Sequence, residues 1–142
     1  GDVTVHTIVQ PHHGDSYGYR FEHDNKAVVY STDAEHKLES ETETAEFVEF
    51  FKAADLVIFD AMYTMADMIS VKEDWGHSSN IIGVDLCHRA GVKHYCMFHH
   101  EPVFGDKAFA DILTETIRYE EIIRDGHELK VSSAYDGLEI VI

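Results

Sequence analysis

Two short runs, Leu56-Val57-Ile58-Phe59 and Tyr95-Cys96-Met97-Phe98, are apolar at every position and rich in β-branched or aromatic residues. A strand with one wet face alternates polar and apolar side chains, so an unbroken apolar run predicts a strand covered on both faces. Helical patterns lie around these runs. Residues 41–54 carry Phe47, Val48 and Phe51 at helical spacing. Residues 79–90 are helical in composition, with Ser78 or Ser79 as N-cap and Gly91 as the stop. Residues 107–124 place Phe109, Ile112, Leu113 and Ile117 on one face, with Gly126 beyond. Upstream, residues 3–9 alternate as a strand, and residues 17–22 and 27–31 form a hairpin about His23-Asp24-Asn25-Lys26. Residues 129–131 and 138–142 read as short closing strands. Strands first, then strand and helix in alternation, predict one α/β (α+β layered) domain over residues 1–142.

The chain has 142 residues, of which 44% are apolar, enough for a real core. No stretch approaches the ~20 consecutive apolar residues of a membrane-spanning helix. A formal charge of −16, with only 11 scattered Lys and Arg, argues against a nucleic-acid binder, which needs clustered cations to neutralise phosphates. Cys87 and Cys96 form no metal-binding pattern and are expected as buried thiols of a reducing, cytoplasmic protein. The opening GDVTVHTIV has neither the basic region nor the apolar run of a secretory signal. It begins as if already inside a strand, so the chain is expected to be cut from something longer.

Among the 11 histidines, several stand where strands end. His12 follows the first strand, Asp33 the third, Asp60 closes the run Val57-Ile58-Phe59, and His99 closes the run ending at Phe98. His77 opens a helix in Trp75-Gly76-His77-Ser78-Ser79. If the strands lie side by side, these five residues gather along one edge of the sheet, where ligands of layered α/β proteins commonly bind. Histidine and aspartate suit zinc, and also manganese or iron. A carboxylate can bridge two such ions, which then clamp both oxygens of a phosphoryl displacement. Taken singly, each histidine is more often a hydrogen-bonded structural residue, and by spacing alone the set is suggestive rather than specific.

In their order, these motifs resemble the metallo-β-lactamase superfamily, in the branch containing ribonuclease Z and the cyclic phosphodiesterases. His12 to Arg20, His-x4-Tyr-Gly-Tyr-Arg, is similar to its third metal motif. Tyr30-Ser31-Thr32-Asp33 is similar to the Ser-Gly-Asp motif whose aspartate bridges the metals. Phe59-Asp60-Ala61-Met62-Tyr63 resembles a His-Glu-Ala-Thr-Phe stretch, and Gly76-His77-Ser78 resembles Gly-His-Ser-Thr. The resemblance covers residues 3–102 and implies His12, Asp33 and His99 as metal ligands. It implies His77 as the general acid, with Asp60 orienting its imidazole. His13 and His100 are expected beside the ligands or exposed, Tyr19 and Arg20 as strand packing and surface charge, and Trp75 as cover for the core.

The departures carry equal weight. The signature His-x-His-x-Asp-His, which supplies four of the family's seven ligands, is absent from this sequence. The last motif is His99-His100-Glu101-Pro102 rather than ribonuclease Z's His-Phe-Ser, which points away from tRNA processing. The expectation is therefore the C-terminal half of the αβ/βα sandwich, one mixed sheet with helices on one face and an apolar other face. That face would meet the missing N-terminal half or a second copy, as a dimer or domain swap. The parent would be a dinuclear phosphodiesterase acting on a small-molecule phosphodiester, and the isolated chain would bind metal weakly and turn over little. A non-catalytic binding or assembly module with remnant hydrolase motifs is the alternative.

Overall fold

The computed structural model describes residues 1–64 and 75–142. Six strands and three helices lie among them: β1 Thr4–Val9, β2 Tyr17–His23, β3 Lys26–Ser31, α1 Glu41–Phe51, β4 Leu56–Asp60, α2 Asn80–Ala90, β5 His94–Phe98, α3 Asp106–Ile123 and β6 Lys130–Ser133. The strands form one sheet in chain order, β1 to β6. β1, β2 and β3 are antiparallel neighbours, whereas β3 to β6 run parallel. The difference follows from the connections. Asp24 and Asn25, both at positive φ, close a two-residue hairpin turn, while each parallel step needs a crossover, supplied in turn by α1, α2 and α3.

α1 packs on α2, and α2 on α3, so the helices share one face of the sheet. Against them lie Val29, Val57, Phe59, Tyr95 and Met97, all essentially inaccessible. Gly83 in α2 is required there, because a Cβ would overlap the Tyr95 ring. Ser79 is the N-cap of α2, accepting from the Ile82 amide, and Gly91 ends the helix in the left-handed conformation. Buried Glu120 fastens α3 to the start of β6. Its carboxylate accepts from Arg124, from the Leu129 amide and, at 3.2 Å, meets His88 Nε2. Cys87 and Cys96 are free, buried thiols.

The opposite face carries Val5 and Val9 of β1 beside Phe21 and Tyr17 of β2, with Tyr19 paired to Tyr30. Val5, Val9, Tyr17, Tyr19 and Phe21 are all exposed, which makes the expected apolar face a feature of the fold. No described helix is long and apolar enough to cross a membrane.

The sequence reading needs correction in three places. Residues 138–142 alternate like a strand but belong to none, since Gly137 at φ +85° turns the chain after β6 has ended at Ser133. Arg20 is not surface charge: it reaches the carbonyls of Phe50 and Lys52 at the end of α1 and pairs with Glu22. Trp75 covers no core and is 58% exposed.

Candidate metal centre

Because β1 and β3 to β6 all point the same way, the loops after them meet at one end of the sheet. There Asp33, Asp60, His77 and His99 each offer a ligand atom, all within 4.8 Å of one another. Asp33 and His99 occupy the left-handed region, at φ +60° and +57°. Non-glycine residues seldom adopt it, and such backbone strain gathers at functional sites.

The two carboxylates differ in what they have left to give. Asp60 is wholly buried; its Oδ1 accepts from the Met62 amide at 3.1 Å, and its Oδ2 from the Ala34 amide at 3.2 Å and from His77 Nδ1 at 2.7 Å. Three of its about four acceptor positions are taken. Asp33 is half exposed and meets only the Thr32 hydroxyl at 3.1 Å and His99 Nε2 at 3.3 Å among the contacts of the described residues. It has lone pairs to spare for a cation. His99 Nδ1 is buried and has no hydrogen-bond partner among the described residues. The Asp33 carboxylate and the His99 Nε2 that faces it form a donor pair of the kind divalent cations bind, and the unpartnered Nδ1 is the other nitrogen of the same ring.

His77 occupies the middle. Its ring stacks on His99 at 4.6 Å and tilts against His12 at 5.1 Å. The hydrogen bond to Asp60 holds its pKa above the ordinary 6.5; burial opposes this, while the charges of Asp60, Asp33 and Glu35 add to it. With Nδ1–H given to Asp60, the ring nitrogen left for chemistry is Nε2.

His12 lies outside the four-residue group, though against it. Its Nδ1 donates to the Gly76 carbonyl at 2.9 Å, which leaves Nε2 free to ligate. His13 is exposed, and His100 Nε2 meets Ser133 Oγ at 2.9 Å. The sequence reading passed over two contributors. Glu35 accepts from the Gly76 amide at 2.9 Å, and Ser78 Oγ donates to the Ala34 carbonyl and accepts from the His36 amide. Nothing marks Glu35 in a chain with 27 acidic residues, and Ser78 looked like a cap.

Two pockets of about 300 and 310 Å³ open beside this cluster, one lined by His12, His13, Lys37 and Gly76, the other by Phe98, His99, His100 and Tyr135. A larger cleft of about 570 Å³ lies between β1–β2 and α1, remote from the cluster, and its Arg20 is already committed to Glu22 and α1.

The description "Beta-lactamase superfamily domain" matches residues 3–100, more than half of the chain. The fold superposes on the metallo-β-lactamase fold protein YhfI of Bacillus subtilis with a TM-score of 0.75 and 19% identity, over 97% of this chain and 49% of that one. Human tRNase Z, short form, follows with a TM-score of 0.66 and 18% identity, over 99% and 43%. A diphosphatase from the PhnP family gives 0.57 and 17%, over 99% and 44%. The chain thus spans about half the length of these solved structures. No curated protein matches it.

Proposed function

The chain belongs to the β-lactamase superfamily, and from that premise we propose that it is the C-terminal half of a metal-dependent hydrolase that cleaves small-molecule phosphodiesters. The observation that carries this reading is the His77–Asp60 pair, 2.7 Å apart and within 4.8 Å of the donor atoms of Asp33 and His99. A protonated imidazole beside a cation site suits a substrate whose leaving group departs as an alkoxide and needs a proton. Pockets on both the His12 and His99 sides suit a diester, which has two arms.

His12, Asp33 and His99 would hold two divalent ions, zinc by donor type, with manganese or iron as substitutes. Such ions, when bound, activate water and stabilise charge developing on the phosphoryl oxygens. The chain's own groups do the rest. Asp60 receives the Nδ1–H of His77 and stabilises the imidazolium. His77 delivers the proton from Nε2 to the departing oxygen. Asp33 would help to hold both ions, its charge offsetting part of their repulsion.

Three ligands shared by two ions are too few for tight binding. The complementary half, with its His-x-His-x-Asp-His signature, would supply the others and cover the apolar face of Val5, Val9, Tyr17, Tyr19 and Phe21. The likeness to half of each solved relative supports that assignment. Metal content per chain, measured by elemental analysis after purification without chelator, tests the reading alongside Asp33→Ala and His12→Ala. Well below one ion is expected, with weak uptake of added zinc or manganese that both variants abolish. No uptake, or uptake indifferent to both variants, would overturn the metal site. Two tightly held ions and full turnover in the isolated chain would overturn the half-site reading. A stable dimer by light scattering would assign the apolar face to a second copy.

A further inference from the structure

Among the described residues, the turn that carries His77 is held by other loops. Gly76 sits at φ +89°, and both peptide groups flanking it are bonded to other loops. Its amide, in the peptide joining residues 75 and 76, donates to Glu35 Oε2 at 2.9 Å. Its carbonyl, in the peptide joining residues 76 and 77, accepts from His12 Nδ1 at 2.9 Å. One residue beyond His77, Ser78 Oγ holds the Ala34 carbonyl at 2.7 Å and the His36 amide at 3.0 Å. His77 is therefore bracketed by the loop that follows Asp33. The fit is close: a Cβ on Gly76 would fall 2.4 Å from His12 Nδ1. The Glu35 side chain is 11% exposed, with Lys37 Nζ at 3.9 Å. A carboxylate that deep is retained only where it accepts hydrogen bonds, and one of those it accepts comes from the peptide leading into His77.

We propose that Glu35 is a positioning residue: by holding the Gly76 amide it fixes the turn whose carbonyl orients His12 and whose next residue is His77. The consequence for catalysis rests on His77 being the general acid, as read above; the consequence for His12 does not. With Glu35 in place, the Gly76 carbonyl faces His12 Nδ1 and selects the tautomer with Nδ1–H, so that Nε2 is the ligating nitrogen. Without it, the permissive glycine is free to change its backbone angles, and its carbonyl, in the 76–77 peptide, moves together with His77.

Nitrogen-15 imidazole correlation spectra of the metal-free chain test this directly, for wild type, Glu35→Ala and Glu35→Gln. Wild type should show His12 with its proton on Nδ1. Glu35→Gln keeps an oxygen that accepts from Gly76 and should preserve that tautomer. Glu35→Ala should give a mixture of tautomers and shift the His77 ring signals, with the remaining amide spectrum intact. Should Glu35→Ala fail to fold, Glu35→Asp, which retracts the carboxylate by one methylene, takes its place with the same expected result. An unchanged His12 tautomer in the folded Ala or Asp variant overturns the proposal. In the completed protein with saturating zinc or manganese, Glu35→Ala should lose about 10²-fold on an alkyl phosphodiester and less than about 3-fold on bis(4-nitrophenyl) phosphate, whose leaving group needs no proton. Equal loss on both substrates overturns the link to His77. If the isolated wild-type chain hydrolyses neither, as the half-site reading expects, the spectra alone decide the role of Glu35.

Discussion

β4 has a buried aspartate at each end, and the two differ in their company. Asp55, just before the strand, is met by Lys93 Nζ at 2.9 Å, Lys26 Nζ at 3.3 Å and the Ala27 amide at 2.9 Å. Burial pushes its pKa up, but the bonds from Lys93, Ala27 and Lys26 together outweigh burial and bring it down to about 2. Asp60, the strand's last residue, meets no lysine or arginine among the described residues; its partners are two amides and the His77 ring. At the amino end of the sheet, a carboxylate is neutralised by cations and ties loops together. At the carboxyl end, its charge is left to act on an imidazole. The same residue type at the two ends of one strand thus serves the fold in one place and, in the function proposed, the chemistry in the other.

Asparagine at each position breaks or upholds that division. Asp60→Asn keeps the shape but cannot stabilise a His77 imidazolium. Hydrolysis of an alkyl phosphodiester by the metal-loaded, completed protein should fall about 10²–10⁴-fold. Asp55→Asn should leave the rate per folded molecule unchanged. Comparable losses in both variants would mean that Asp60 acts only as a structural acceptor.

His36 sharpens the contrast from the histidine side. It stands in the loop after Asp33, yet its ring lies in the core, stacked on Phe59 at 5.3 Å and edge-on to Phe47 at 4.3 Å. Its Nε2 has no partner among the described residues, and burial lowers its pKa from 6.5 to about 3. Between those values the unfolded chain binds the proton and the folded chain does not, so stability falls as pH falls. The slope should be roughly 1.4 kcal/mol per pH unit below 6.5. His77, raised above 6.5 by Asp60, contributes in the other direction and in another window. In the metal-free chain its contribution is present below 6.5 and lost as pH rises through its folded pKa. Urea denaturation at several pH values should show His36→Phe flattening only the acid slope and Asp60→Asn only the neutral one. Unaltered slopes in both variants would place the acid sensitivity elsewhere.

Much of this arrangement was legible in the sequence, because it rests on patterns with a strong physical cause. Apolar runs marked β4 and β5 as covered on both faces, and the polar residues at the ends of strands could only gather where parallel strands end. The hairpin at Asp24-Asn25 and the three helices follow from turn residues and the same periodicities, whereas the exposed apolar face was implied by the family resemblance. What stayed hidden depends on contacts between residues far apart in the chain. Glu35 and Gly76 are 41 positions apart, and Arg20 reaches the end of α1 across 30 or more. Residues 138–142 show the opposite failure, an alternation that satisfies a strand pattern without a neighbour to pair with. Periodicity reports which face is apolar; it does not report whether an edge is available.

The remaining predictions concern Asp55 and are smaller. Asp55→Ala leaves the Ala27 amide unpaired, while both lysines, each exposed, can turn to water. The loss should be about 1–3 kcal/mol in unfolding free energy, with metal uptake unchanged. A fall in metal uptake would show that the two ends of β4 are coupled. Acid titration gives the finest test. A folded pKa of about 2 against 3.8 means that the stability contributed by Asp55 is complete above 3.8 and disappears as pH falls through about 2. Screening of its exposed lysine partners reduces that contribution to the order of 1 kcal/mol. In His36→Phe, where the histidine slope is gone, this limb should remain below pH 4 beside that of Glu120, whose pKa is lowered chiefly by its bond from Arg124, and should shrink on adding Asp55→Asn. If the double substitution leaves the limb unchanged, the charge of Asp55 contributes less to stability than its hydrogen bonds, and the two ends of β4 differ in function rather than in electrostatics.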